Sequence, residues 1–265
     1  MTSPPLTALI TGATGTVGTV LSQHICNQGG TVHAWNRALH SPGDFDAARW
    51  LLDQHQPNAV FHLALPSKPQ GLENESWVIN EHWTGQLAFL AAERGIAFVY
   101  CSTAMVFTNQ AEGPFTVETI PDETTGYGFG KLLGERAALS ANSNARVARL
   151  GWQIAGSRGG NNMLEHLEEQ QQNNGVIHAS TRWLPATSLL QDTAEAFIQI
   201  AQHQDSGIFH VNSNSRWNFY EIACALNQLH GNRWVVQPNE DFVYDQRLLD
   251  DRLTIAQLEE RLPLK

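Results

Sequence analysis

Tyr127 and Lys131, in the run Tyr-Gly-Phe-Gly-Lys, are the residues of this sequence best suited to acid–base chemistry. At positions i and i+4 of a helix they share a face, about one turn apart. A free phenol ionises near roughly pH 10. A nearby ammonium stabilises the phenolate and lowers that value, and a phenol so tuned can protonate an alkoxide as hydride reaches a carbonyl carbon. Ser102-Thr103 ends an apolar run that reads as a strand. A hydroxyl at a strand end can hydrogen-bond a substrate carbonyl and the oxyanion that develops from it. A Tyr/Lys pair alone is also what an exposed helix shows by chance. Its weight comes from what precedes it in the chain.

What precedes it is Ile10-Thr11-Gly12-Ala13-Thr14-Gly15-Thr16-Val17-Gly18. The run follows an apolar strand, Leu6 to Ile10, and opens a helical stretch, Val17 to Asn27, with Val17, Val20, Leu21 and Ile25 on one face. Gly12 allows a tight turn, Gly15 lets a pyrophosphate approach the backbone, and Gly18 lets the helix pack closely on the strand. Unpaired N–H groups at the helix N-terminus suit the phosphates. The alternative is a purely structural glycine turn. After the second strand, Thr31 to Trp35, stand Asn36 and Arg37, and no acidic residue to hold a ribose 2′-hydroxyl. Asn36 and Arg37 are therefore read as accepting a 2′-phosphate, which favours NADP(H) with NAD(H) as the alternative. A solvated surface arginine is the other reading of Arg37.

The elements that position these residues alternate. A helix over Ala47–His55 leads to a doubly apolar run, Ala59 to Leu65, of the kind buried on both faces of a parallel sheet. A long helix over Glu73–Arg94, with a break expected near Asn80, precedes the strand Ala97–Cys101. A loop-rich stretch from Met105 to Thr125 separates that strand from the helix Gly126–Leu139 and the strand Arg146–Leu150. The pattern predicts an α/β fold, a doubly wound parallel sheet. From Gly151 the alternation weakens. Helices over Leu189–Gln202 and Phe219–Leu229 and a strand over Ile208–Val211 are expected there. The division is a dinucleotide-binding part over residues 1–150 and a smaller substrate-binding part over 151–265, interleaved with the main core.

A length of 265 residues with 42% hydrophobic content supports one large core. A net charge of −10 argues against a nucleic-acid or anionic-membrane surface. Three dispersed cysteines without a paired spacing suggest reduced thiols and a cytoplasmic protein. Met1–Thr7 does not read as a signal peptide, and no run reaches membrane-spanning length. Eleven scattered histidines show no metal-ligand spacing, so no metal site is expected. The helices Glu73–Arg94 and Tyr127–Leu139 offer a face for a homodimer or for the core.

Taken together, the glycine turn, Gly43-Asp44-Phe45, Val78-Ile79-Asn80, Cys101 to Phe107, Tyr127 to Lys131 with Gly134-Glu135, and Arg149-Leu150-Gly151-Trp152 resemble the extended short-chain dehydrogenase/reductases. Asn161-Asn162-Met163 and Gly207 to His210 extend the likeness over nearly the whole chain. Within that group the dTDP-4-dehydrorhamnose reductase family is most similar. The resemblance implies a Rossmann-type fold and a keto-group reductase acting on a small molecule, a nucleotide-linked sugar. It implies Tyr127 as proton donor, Lys131 as the residue that orients the nicotinamide ribose and tunes Tyr127, and Thr103 as the positioner of the carbonyl. It places Thr14, Gly15 and Thr16 at the pyrophosphate, and Asp44 and Phe45 at the adenine. Leu63, Ala64 and Leu65 fall along the dinucleotide, Cys101 on the nicotinamide side, and Trp152 against the sugar, unless Trp152 is an ordinary buried aromatic.

The chain departs from the family at the substrate end. Thr-Asp-Tyr-Val-Phe becomes Thr103-Ala104-Met105-Val106-Phe107, which removes two polar side chains from the substrate pocket. The stretch Ala64-Leu65-Pro66-Ser67-Lys68 replaces an alanine-rich turn, Gly130 stands before the lysine, and Pro185-Ala186 replaces a late Pro-Thr. Arg158, Arg182 and Arg216 are candidates for a substrate diphosphate, each of them also readable as a surface arginine. Two alternatives follow: a non-catalytic dinucleotide-binding regulatory subunit, as some relatives of the family are, and a sugar-nucleotide epimerase or dehydratase that recycles a tightly held NAD. The absence of an acid after the second strand counts against the latter.

Overall fold

The computed structural model describes residues 5–66, 73–157 and 159–263. Its first half alternates strand and helix: β1 (Thr7–Thr11), α1 (Thr16–Asn27), β2 (Thr31–Ala34), α2 (Phe45–His55) and β3 (Ala59–His62). A continuous helical stretch follows, α3 (Glu75–Trp77), a π-turn (Val78–His82) and α4 (Trp83–Glu93), leading to β4 (Ala97–Thr103), α5 (Gly126–Ala141) and β5 (Arg146–Leu150). The second half holds β6 (Trp152–Ile154), α6 (Met163–Asn174), β7 (Ile177–Ser180), β8 (Trp183–Leu184), β9 (Thr187–Leu189) and α7 (Leu190–Gln202). It ends with β10 (Gly207–Val211), α8 (Phe219–Leu229), β11 (Val236–Asn239), β12 (Tyr244–Asp245) and α9 (Leu258–Arg261).

Six strands form one parallel sheet in the order β10-β5-β4-β3-β1-β2. The chain leaves β1 for β2 on one side and returns to β3 on the other. The strand order therefore reverses between β1 and β3, and such a reversal opens a crevice at the strands' carboxyl ends. This is the Rossmann-type doubly wound sheet that the sequence predicts. One sheet face is covered by α1 and α7, with Leu21, Ile25, Phe61, Phe197 and Phe209 in a common core. The other face carries α2, α4 and α5 over Leu52, Val60, Trp83, Leu87, Phe98 and Tyr100. A third core, built on Leu167, Ile177, Trp217, Ile222 and Trp234, holds α6 and α8 against the short paired strands β7 and β11. Residues after 150 thus contribute both to this separate core and, through β10 and α7, to the main sheet.

Element ends differ from the expectations for identifiable reasons. β3 stops at His62 instead of running to Leu65, because the next amides turn toward β1. Leu63 N–H donates to the Thr11 carbonyl at 3.1 Å, and Leu63 and Ala64 N–H approach Thr11 Oγ1 at 3.2 and 3.3 Å. α2 starts two residues earlier than expected, since Asp44 caps it by accepting from Ala47 N–H at 2.9 Å. The break near Asn80 is the π-turn. Its wider winding leaves the Ile79 carbonyl free to accept from the Thr84 hydroxyl and from His62 Nε2, both at 3.3 Å. The expected loop from Pro66 to Pro69 lies largely outside the described residues, as do Ser67 and Lys68. Among the described residues no helix is long and apolar enough to cross a membrane.

Candidate active site

The crevice between β1 and β3 is floored by the glycine turn. Gly12 has φ +71°, and a Cβ there would lie 2.8 Å from the Leu63 carbonyl oxygen. A Cβ on Gly18 would overlap the Gly12 carbonyl, so helix and strand meet backbone to backbone. Thr14 and Gly15 are exposed, and Thr16 and Val17 are half-buried. Gly15 is the N-cap of α1 and supplies no side-chain cap, leaving the first-turn amides directed to the crevice. The Gly159–Gly160 loop ahead of α6 lies over Thr16, where a Cβ on Gly160 would come within 2.7 Å of the Thr16 hydroxyl. Small, exposed backbone at a bare helix N-terminus fits the phosphates of a dinucleotide.

At the outer end of the crevice, Asn36 Oδ1 accepts from Ala38 N–H at 2.9 Å and so serves its own turn. Arg37 Nη2 lies 3.3 Å from the carboxylate of Glu75. The acid that the sequence lacks after β2 is thus brought there from α3. Phe45, next to the capping Asp44, packs against Phe89 with ring centroids 6.5 Å apart.

The inner end carries the acid–base group. β4 ends at Thr103, whose Oγ1 accepts from Met105 N–H at 3.2 Å and turns the chain into a single 3-10 turn, Ala104–Val106. Tyr127, at the start of α5, is 45% exposed, so its phenol is reachable by a substrate. Partial burial and the nearby Cys101 thiol push the phenol's pKa above its ordinary value, and the neighbouring Thr103 hydroxyl partly offsets this. The expected lowering by Lys131 does not arise in the protein alone. Lys131 is buried, donates from Nζ to the Cys101 carbonyl at 2.8 Å, and sits 4.7 Å from the centre of the Tyr100 ring. Burial pulls its pKa down to about 8, against the Cys101 and Glu135 charges that would raise it. Lys131 is therefore poised near neutrality itself, its head at the end of β4.

Ser102 does not share the site with Thr103, because adjacent strand residues face opposite ways. Its Oγ donates to Glu135 Oε1 at 2.5 Å. Glu135 also receives Arg149 in two-point contact, Nε at 2.9 Å and Nη2 at 2.7 Å, with both side chains 3% exposed. Sequence reading left this pair without a role. Its signal was present: Glu135 follows Lys131 by four residues on the same helix face. His62 was also missed. It accepts from the Thr11 hydroxyl at 2.7 Å while donating to Ile79, and burial with Lys131 nearby pushes its pKa down to about 3, so it stays neutral. It braces the end of β1 against the π-turn. Asn80 Oδ1 is buried and lacks a partner among the described residues, and Asn80 lines a cavity of about 420 Å³ with Trp77, Phe129 and Gly130.

The substrate end is aromatic. Trp152 stacks near Trp183 and Phe219, with centroids at 6.1 and 5.9 Å, and His166 meets it edge-on at 5.0 Å. Ala104 is buried and Met105 is 52% exposed. Arg182 and Arg216 lie in surface ion pairs with Glu240 and Glu259, at 3.8 and 2.8 Å. Arg158 lies outside the described residues. Cys101 is half-buried, and burial raises its thiol pKa.

The chain has named relatives. It is 26% identical over 246 residues to methionine adenosyltransferase 2 subunit beta of Xenopus laevis, covering 85% of this chain and 72% of that one. It is 25% identical over 227 residues to dTDP-4-keto-6-deoxy-D-glucose reductase of Streptomyces niveus, covering 84% and 78%. The fold superposes on a dTDP-4-dehydrorhamnose reductase of Bacillus anthracis, solved in complex with NADP, with TM-score 0.81, 17% identity and coverage of 98% and 97%. Residues 6–246 match the family model described as RmlD substrate binding domain. A match over that span, on a sheet and glycine turn of this geometry, establishes that the chain belongs to the RmlD substrate-binding-domain family, within the extended short-chain dehydrogenase/reductases.

Proposed function

We propose that this protein is an NAD(P)H-dependent reductase of a keto group, with a nucleotide-linked sugar as substrate. The observation that carries the reading is exposed Tyr127 one turn ahead of buried Lys131 on α5, with Lys131 Nζ held on the Cys101 carbonyl of β4, the strand that ends at Thr103. Gly12 to Gly18 and Leu63 to Leu65 would hold the dinucleotide phosphates and backbone, and Lys131 its nicotinamide ribose. A bound reduced nicotinamide supplies hydride. The chain's own residues do the rest. Thr103 donates to the carbonyl oxygen and polarises it, and Tyr127 releases its proton to that oxygen as negative charge builds. Burial keeps the phenol protonated in the free protein, which suits a donor. The Lys131 charge is available to stabilise the phenolate left behind. The named reductases among its relatives support the substrate class.

The test is Tyr127→Phe. Turnover with NADPH and a 4-keto sugar nucleotide should fall at least about a hundredfold, the usual scale for loss of a general acid. Dinucleotide binding, read by quenching of the eight tryptophans, should stay within about twofold. Normal turnover by the variant would remove Tyr127 as the acid.

A second reading has its own support. Ala104 and Met105 strip polar groups from the substrate end, and the match to an adenosyltransferase beta subunit allows a dinucleotide-binding regulatory role. Under that reading no keto substrate is turned over by the wild-type chain, Tyr127→Phe changes nothing, and the protein co-purifies with an enzyme partner.

A further inference from the structure

The ribose end of the crevice holds two opposite charges where the sequence offered only one. Arg37 lies just beyond the end of β2, and its Nε is buried without a hydrogen-bond partner among the described residues. The Glu75 carboxylate, itself only 9% exposed, pairs with Nη2 of the same guanidinium at 3.3 Å. Asn36 Oδ1 accepts from Ala38 N–H. Arg37 and Glu75 are the charged pair that a ribose 2′-hydroxyl or 2′-phosphate at this end of the crevice would meet.

We propose that Glu75 is a specificity-determining residue of the dinucleotide site, which restrains Arg37 and disfavours a 2′-phosphate. The inference rests on the dinucleotide reading above. A carboxylate can accept a hydrogen bond from a ribose hydroxyl, and it repels a phosphate dianion. A guanidinium does the reverse. A phosphate reaching for Arg37 finds Nη2 already engaged by Glu75 and lies close to a second negative charge. A hydroxyl meets neither obstacle. The pair thus admits both dinucleotides and narrows the preference for the phosphorylated one that an unpaired arginine would give.

The experiment is titration of the full-length protein with NADPH and with NADH, followed by tryptophan quenching, for wild type, Glu75→Gln and Arg37→Gln. Glu75→Gln should tighten NADPH by about tenfold and leave NADH unchanged or weaker, the direction set by removing a like charge. Arg37→Gln should weaken NADPH by a similar factor and spare NADH. A general disturbance would lower both affinities together and leave their ratio in place. Two results overturn the inference: an unchanged NADPH/NADH ratio in Glu75→Gln, or weaker NADPH binding, which would make Glu75 a support for Arg37. Should Glu75→Gln fail to fold, Glu75→Ser is titrated in its place: a raised NADPH/NADH affinity ratio sustains the proposal and an unchanged or lowered ratio overturns it. If the wild-type chain binds neither dinucleotide, the dinucleotide reading falls first and this inference falls with it.

Discussion

Lys131 carries its charge into a place that costs stability. Its side chain is 1% exposed, and burial holds its pKa at about 8, below the ordinary 10.5. Below pH 8 both folded and unfolded chains keep the proton, and the folded chain bears the full penalty of a buried ammonium. Between pH 8 and 10.5 the folded chain has released the proton that the unfolded one still holds, and the penalty shrinks. Lys131→Met should therefore raise stability by about 2 kcal/mol at pH 7, somewhat less than the pKa shift alone implies, because the bond to Cys101 is lost. Urea denaturation at pH 7 and pH 10 checks this: the gain should be present at the first and mostly gone at the second. A lysine retained at such cost is what a site that needs its ammonium would keep. The placement of Tyr127 and Lys131 one turn apart on α5 and of Thr103 at the end of β4 was legible in the sequence because it is local, set by helix phase and a strand end. Glu75 was not, because its partner Arg37 lies 38 residues earlier and only the fold brings them together.

Among the elements, β4, α5 and β5 are tied together beneath the site by Ser102, Glu135 and Arg149. Buried ion pairs of this kind add little net stability, but removing one partner strands the other charge. Arg149→Met should cost about 3–5 kcal/mol. Glu135→Met together with Arg149→Met should recover most of that loss. A chemical-denaturation cycle of the two single variants and the double variant measures it, and a double variant no better than Arg149→Met would mean the pair's strong geometry outweighs desolvation. The elements themselves were largely legible. β5 and α8 fall where apolar pattern and turn residues put them, and the expected break near Asn80 is the π-turn. The shortening of β3 was not legible, since Leu63-Ala64-Leu65 is as apolar as a strand. What stops it is a hydroxyl on another strand, Thr11.

The whole molecule should be acid-sensitive for a reason seated in its core. Burial holds His62 at a pKa of about 3 and His210 at about 4, the latter also depressed by Arg149, against an ordinary 6.5. As pH falls below 6.5 the unfolded chain takes up protons that the folded chain refuses. Their contribution is thus complete above pH 6.5 and is lost on the way down to about pH 4 and 3. Each histidine should give a slope of about 1.4 kcal/mol per pH unit within its window. Urea midpoints at pH 7, 6 and 5 should fall accordingly, and His62→Asn should roughly halve the slope. The fold class was legible from the strand–helix alternation of the first half. The second half was legible in its helices but not in its pairings, since β6 to β9, β11 and β12 are two to four residues long and carry too little pattern. One feature of that second half bears on how the chain is made. β10 covers the outer edge of β5, and α7 covers α1. During synthesis the strand and helix of the first half must therefore wait, edge unpaired and apolar face uncovered, until residues 190–211 have emerged. A sheet whose last strand comes so late is most exposed to wrong partners before it is whole, and a nascent chain halted near residue 150 should be a client for chaperones.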